Sequence, residues 1–267
     1  MTASWFLVAL RHDRAVILGS LAFVVLLAWS YLLLGAGVGP EMMDMGAGQM
    51  MAMPPDWSLG YGLVTFVMWA VMMLAVVMLA MMLLSAAPVT LLIASLNRKR
   101  AAAGGAVLAS TALFVFGYLA VWLAFAAAAT TLQWALDEAG LLSETMAFGN
   151  IVIAASVLVA AGVYQWTPLK EACLRHCRSP LDFILFHWRD GALGAVGSGV
   201  GHGFFCLGCC WMLMALLFVG GIMNLAWIAG IALLVLIEKT LPWGGRISRL
   251  TGAVLVVWGA VTLAAAA

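Results

Sequence analysis

The sequence predicts an all-α, polytopic transmembrane bundle of about seven spans with its N-terminus in the cytoplasm. Three observations predict it. Of 267 residues, 66% are hydrophobic and only 9% charged, against roughly 25% charged in an ordinary soluble domain. The apolar residues gather in runs close to the ~20 residues a helix needs to cross a bilayer. Finally, all twelve Lys and Arg lie at alternate ends of those runs, as the positive-inside rule requires.

Taken in order, the apolar segments are 15–36, 62–86 (apolar onward to 96), 105–132, 148–164, 192–220, 225–238 and 251–267. The first follows Arg11 and Arg14 and exceeds the ~7–15 residues of a signal-peptide core, so it reads as a retained span. The sixth reaches span length only if Trp243 marks its interface. Arg98, Lys99 and Arg100 follow the second segment; Lys170, Arg175, Arg178 and Arg189 follow the fourth; Lys239, Arg246 and Arg249 follow the sixth. The alternate loops carry Glu41, Asp44, Asp56, Asp137, Glu138 and Glu144 instead. This places the basic ends in the cytoplasm and the acidic loops outside, with residues 1–267 forming one integral membrane domain. A net charge of +1 argues for neither a nucleic-acid nor an acidic partner, and no internal repeat supports an inverted-repeat transporter.

The first external loop, 37–57, holds six methionines (Met42, Met43, Met45, Met50, Met51 and Met53) beside two carboxylates. Its Gly and Pro content argues against a packed element. Thioethers are soft, neutral ligands suited to Cu(I), although an apolar loop resting on the membrane accounts for them too. In the second span Met68, Met72, Met78 and Met82 share one helical face. Methionine also fills gaps in any apolar environment.

The fifth segment contains His202, Cys206, Cys209 and Cys210. On a helix the first three share a face, with Cys210 on its shoulder. A histidine inside a span is expensive and usually faces a functional interior. Three thiols one turn from it point to ligation of a soft metal or to redox chemistry. Two thiolates around a monovalent ion leave an anionic site in hydrocarbon, so a mixed Cys/His/Met set is favoured. The dense glycines at 191–203 either let helices approach closely or mark an unwound stretch lining a cavity.

The cytoplasmic loop 165–190 carries a second thiol set, Cys173 and Cys177 with His176. Thr167-Pro168 predicts a short helix there. Lys170, Arg175 and Arg178 are expected to lower the thiol pKa values and so improve the cysteines as ligands. Five cysteines split between membrane and cytoplasm are no disulfide framework. Glu238 and Lys239 read as a local ion pair at a helix end.

Four stretches carry a family resemblance: Cys-Leu-Arg-His-Cys-Arg-Ser-Pro (173–180), His-Gly-Phe-Phe-Cys-Leu-Gly-Cys-Cys-Trp (202–211), Met-Leu-Met-Ala-Leu-Leu-Phe-Val-Gly-Gly-Ile-Met-Asn-Leu (212–225) and Glu238-Lys239. They resemble the bacterial predicted metal-binding integral membrane protein family, a domain of unknown function, over residues 57–259. The chain departs from the family's methionine motif, where Ala80-Met81-Met82 is followed by Leu83 rather than proline. The resemblance implies a membrane-embedded metal binder.

These readings lead to a membrane protein that binds a soft metal ion, most simply Cu(I), for handling or transport. The metal ligands expected are His202, Cys206, Cys209, Cys210, Met72, Met78, Met82, Cys173, His176 and Cys177. The partners are the lipid bilayer, the ion and a periplasmic or cytoplasmic metal donor or acceptor protein. Two alternatives stay open: a membrane thiol–disulfide oxidoreductase, and a scaffold or assembly factor whose cysteines merely pack. No phosphate loop, nucleophile elbow or zinc-protease helix suggests other enzymology.

Overall fold

A computed structural model describes residues 81–101, 108–143, 146–189, 191–222 and 224–266, the strand segments 41–44 and 50–53, and positions 26, 30 and 67. The Met-rich stretch contains strands β1 (Glu41–Asp44) and β2 (Met50–Met53), paired antiparallel with Glu41 opposite Met53 and Asp44 opposite Met50. This corrects the expectation of an unstructured loop. A five-residue connection containing glycine is itself a hairpin signal, which the Gly and Pro count concealed.

The other elements are helices: α1 (Leu83–Ala101), α2 (Leu108–Glu138), α3 (Ile151–Tyr164), α4 (Pro168–Arg178), α5 (Pro180–His187), α6 (Ala192–Ala215), α7 (Leu217–Gly220), α8 (Leu225–Thr240) and α9 (Gly244–Ala266). Side-chain caps set several starts. Asn150 Oδ1 accepts from the Val152 backbone N–H at 2.8 Å, and Asn224 Oδ1 accepts from that of Trp227 at 3.1 Å. Thr167 accepts from Lys170 N–H, with Pro168 at the first helical position, so the helix expected there is present.

Two tight helix pairs organise the bundle. Helices α2 and α6 meet backbone to backbone: a Cβ added at Gly117 would strike the Val196 carbonyl, and one at Gly199 the Phe114 carbonyl. Helices α3 and α9 meet through Gly162, Gly252 and Gly259, where a Cβ on Gly162 would lie 2.7 Å from the Gly252 oxygen. Close approach of this kind is what small residues permit between apolar helices. The glycine-rich stretch is therefore continuous helix and not an unwound segment. Gly199 and Gly203 face α2, whereas a Cβ at Gly197 or Gly201 would meet open space.

Among the described residues, three helices are long and apolar enough to cross a membrane: Thr111–Glu138, Ala192–Gly220 and Gly244–Ala266. Counting α3 and α4 as one span broken by a 64° bend makes four. This is fewer than the seven expected. Most of the first and second apolar segments lie outside the described residues, and so does the N-terminus. The fourth stops after 14 residues, where Thr167-Pro168 turns the chain. The sixth has only 16, roughly 24 Å at 1.5 Å per residue against a hydrocarbon core of about 30 Å. The seventh is longer than expected. It begins at Gly244, so Arg246 and Arg249 lie in its first turns.

Candidate metal centre

Helix α6 turns Cys206, Cys209 and Cys210 into the core, each 2% exposed. The thiols of Cys209 and Cys210 both donate to the Cys206 carbonyl at 3.0 Å, which bundles the three sulfurs within one turn. The Cys206 sulfur lies 3.2 Å from the Tyr118 hydroxyl of α2 and 2.9 Å from the Lys239 ammonium of α8. That ammonium also lies 3.5 Å from the Met82 thioether. Met82, fully buried, is 3.9 Å from the Cys210 sulfur. From the other side α4 brings the Cys177 sulfur to 3.9 Å from that of Cys209.

The structure thus joins five of the expected ligands into two sulfur pairs, Cys177–Cys209 and Cys210–Met82, with Cys206 between them. Two sulfurs sharing one ion at about 2.3 Å each stand roughly 3.8–4.6 Å apart, so both pairs have a separation one soft ion can span. No group of three or more His, Cys, Asp or Glu side chains among the described residues forms a cage ready for a metal. All five cysteines are free thiols.

The remaining expected ligands fall as follows. Cys173 packs against α6, where a Cβ on Gly208 would lie 2.7 Å from its sulfur; the Tyr164 hydroxyl donates to the carbonyl of that same glycine. His202, 2% exposed, is enclosed by the rings of Phe114, Tyr118 and Phe183 at 4.9–5.8 Å, and its Nδ1 has no hydrogen-bond partner. His176 stacks on Phe205 at 4.1 Å. Met72 and Met78 lie outside the described residues.

The basic residues of α4 do not activate its thiols. Burial, with the Cys209 sulfur adding to it, pushes the Cys173 thiol above its ordinary pKa. Hydrogen bonding to Cys206 and Cys209, then burial, pushes Cys177 up as well. Two of the three cations are committed elsewhere. Lys170 is 1% exposed and donates to Glu238 Oε2 at 2.7 Å, while Arg178 donates to the carbonyls of Leu241 and Pro242. Glu238 and Lys239 are consequently not a local pair. Successive residues on a helix point about 100° apart, so one meets α4 and the other the sulfur cluster.

Sequence reasoning missed Tyr118, Lys170 and Lys239 as parts of this centre. The detectable signal was a Glu-Lys dipeptide closing a short apolar helix, where an intramembrane charge implies a buried partner.

A family model described as PpoB2, copper chaperone, matches residues 66–262. The chain belongs to this copper chaperone family. The matched region includes every sulfur of the centre from Met82 to Cys210, together with Lys170, Glu238 and Lys239; hairpin β1–β2 precedes it. No curated protein and no solved structure matches this copper chaperone family member. Its three to four long apolar helices are compatible with membrane association.

Proposed function

We propose that the protein is a multi-pass membrane copper chaperone that binds Cu(I) at sulfur and passes it between two sulfur stations. The observation that carries this is the pair of 3.9 Å sulfur separations, Cys177–Cys209 and Cys210–Met82, on either side of Cys206. Thiolate and thioether donors suit Cu(I) better than hard divalent ions. Two-donor stations hold an ion without trapping it, as a carrier requires.

Lys239 answers the charge difficulty. Two thiolates and one monovalent ion sum to −1, and the adjacent ammonium restores neutrality, so a bis-thiolate site becomes affordable in hydrocarbon. A mixed donor set is then no longer needed on electrostatic grounds.

The fuller scheme has seven spans and a cytoplasmic N-terminus in a bacterial plasma membrane. The Met-rich hairpin recruits the ion outside, and Met72 and Met78 lead it to Met82. His202 is a further donor beside Cys206, and Cys173, His176 and Cys177 pass the ion to an inner donor or acceptor protein. The test is the copper content of the purified full chain with and without Cys206, Cys209 and Cys210 replaced by Ser. About one or more coppers per wild-type chain, lost in the variant, is expected. Equal, substoichiometric copper in both would sink the reading.

A further inference from the structure

Beside the sulfur centre the structure gathers two histidines, one of which, His187, the scheme above leaves unused. His176 is on the last turns of α4, and His187 closes α5. Their rings lie 5.0 Å apart at 80°. The chain brings them together through Ser179-Pro180, which ends one helix and starts the next. Both rings are held by Phe205, which stacks on His176 at 4.1 Å and meets His187 edge-on at 5.6 Å. Phe205 immediately precedes Cys206, and His176 immediately precedes Cys177.

The geometry points to a two-imidazole transfer site for Cu(I) formed by His176 and His187, an inference that rests on the copper reading above. Three features argue for it. First, His176 Nδ1 lies 2.9 Å from the Ala172 carbonyl. A carbonyl only accepts, so Nδ1 carries the hydrogen and Nε2 keeps its lone pair. Metal-ligating histidines are oriented in this way by a backbone carbonyl. Second, two imidazoles sharing one ion through nitrogens at about 2.0–2.1 Å have ring centres roughly 5–6 Å apart, and the observed separation meets this. Third, the pair runs from partly buried to open. His176 is half-buried beside the Cys177–Cys209 station, whereas His187 is exposed.

The site therefore lies between the inner sulfur station and the surface. Two neutral donors leave the remaining coordination positions for a ligand from outside, which is the condition for handing an ion on. The ion exchanges thiol sulfur for imidazole nitrogen with no change of oxidation state. Each thiolate released takes up a proton from solvent.

The test uses full-length protein in detergent, loaded with Cu(I), and a strong Cu(I) chelator added in excess. The variants are His187→Phe, at an exposed position where folding is insensitive, and the double variant His176→Phe/His187→Phe, which keeps the aromatic packing. Copper content should be retained in His187→Phe, which leaves every donor of the sulfur centre in place. Release to the chelator should slow at least tenfold in both variants, and nitrogen scattering in the copper X-ray absorption spectrum should fall, most in the double variant. Wild-type release rate and unchanged nitrogen scattering in both variants would overturn this site alone. Wild-type protein that takes up no copper would overturn the copper reading and the site with it.

Discussion

Lys239 is the residue on which the chemistry of the sulfur cluster turns. Its ammonium reaches the Cys206 sulfur at 2.9 Å and the Met82 sulfur at 3.5 Å. Replacing it by methionine keeps the volume and removes the countercharge, so a bis-thiolate copper complex becomes anionic inside the bundle. Cu(I) affinity of Lys239→Met should fall at least tenfold, about 1.4 kcal/mol, in competition against a chelator of known affinity. Unchanged affinity would mean that Cys206 does not bind as a thiolate. At Cys173 the argument concerns protons. The thiolate is the nucleophile, and burial raises the pKa of this thiol. The neutral form therefore persists to higher pH than in a free cysteine. At pH 8 its alkylation should lag behind that of a free thiol, and the rate should go on rising with pH after the free thiol has levelled off. Mass spectrometry of the 173-containing peptide measures both. The sequence made the three thiols of α6 legible, because their spacing alone places them on one helix turn. It hid Tyr118, since a tyrosine in an apolar segment carries no distinguishing pattern. It misassigned Lys239, because charge counting assumes that a basic residue at a helix end reaches toward water.

At the scale of elements, α4 packs its thiols against α6, and the Lys170–Glu238 pair ties α4 to α8. Both are almost fully buried. Removing one partner leaves an uncompensated buried charge and typically costs about 3–5 kcal/mol. Lys170→Met should therefore destabilise the protein in denaturant and abolish oxidative cross-linking of Cys177 to Cys209. Exchanging the two residues, Lys170→Glu with Glu238→Lys, should restore much of both. A swap that leaves cross-linking absent would show that α4 is placed by packing alone. The crossing of α2 and α6 has a separate requirement. Gly199→Ala directs a methyl group at the Phe114 carbonyl, forcing the helices apart and lowering thermal stability. The start of α4 was legible in Thr167-Pro168, whose cap and fixed φ act locally. Its partner was not legible, because a 68-residue separation between Lys170 and Glu238 leaves no periodic trace. The stretch 165–190 reads as a loop with one short helix, yet it folds as two helices whose Cys173, Leu174 and Phe183 are buried.

Across the whole molecule, charge and length agree on an orientation that experiment can check. The loop after the acidic end of α2 returns to the far end of α6–α7, where Phe148 N–H donates to the Phe218 carbonyl at 2.8 Å. The basic stretch returns to the near end, where Arg189 N–H donates to Ser198 Oγ at 3.0 Å. Positions 198 and 218 are twenty residues apart, roughly 30 Å along a helix, which is about the thickness of the hydrocarbon core. In the proposed membrane arrangement Asp137 and Glu138 mark one face, and Arg175, Arg178 and Arg189 the other. The tight pairs α2–α6 and α3–α9 supply the described part of the bundle between those faces. The number of spans was the least legible feature, because hydropathy registers an apolar run without showing where Thr167-Pro168 or Leu241-Pro242 interrupts the helix. The proposed orientation rests on which ends carry charge and not on how many helices lie between. The positive-inside rule predicts that the basic face is cytoplasmic. A cysteine introduced at the exposed position Ala139 should react with a membrane-impermeant maleimide on intact cells, and one at Leu181 should react only after permeabilisation. The wild-type chain supplies the blank, because its five cysteines at 173, 177, 206, 209 and 210 all lie on the inner side or within the bundle. The reverse labelling pattern would invert the protein. It would also move the Met-rich hairpin to the cytoplasm and turn the order of sulfur donors end for end.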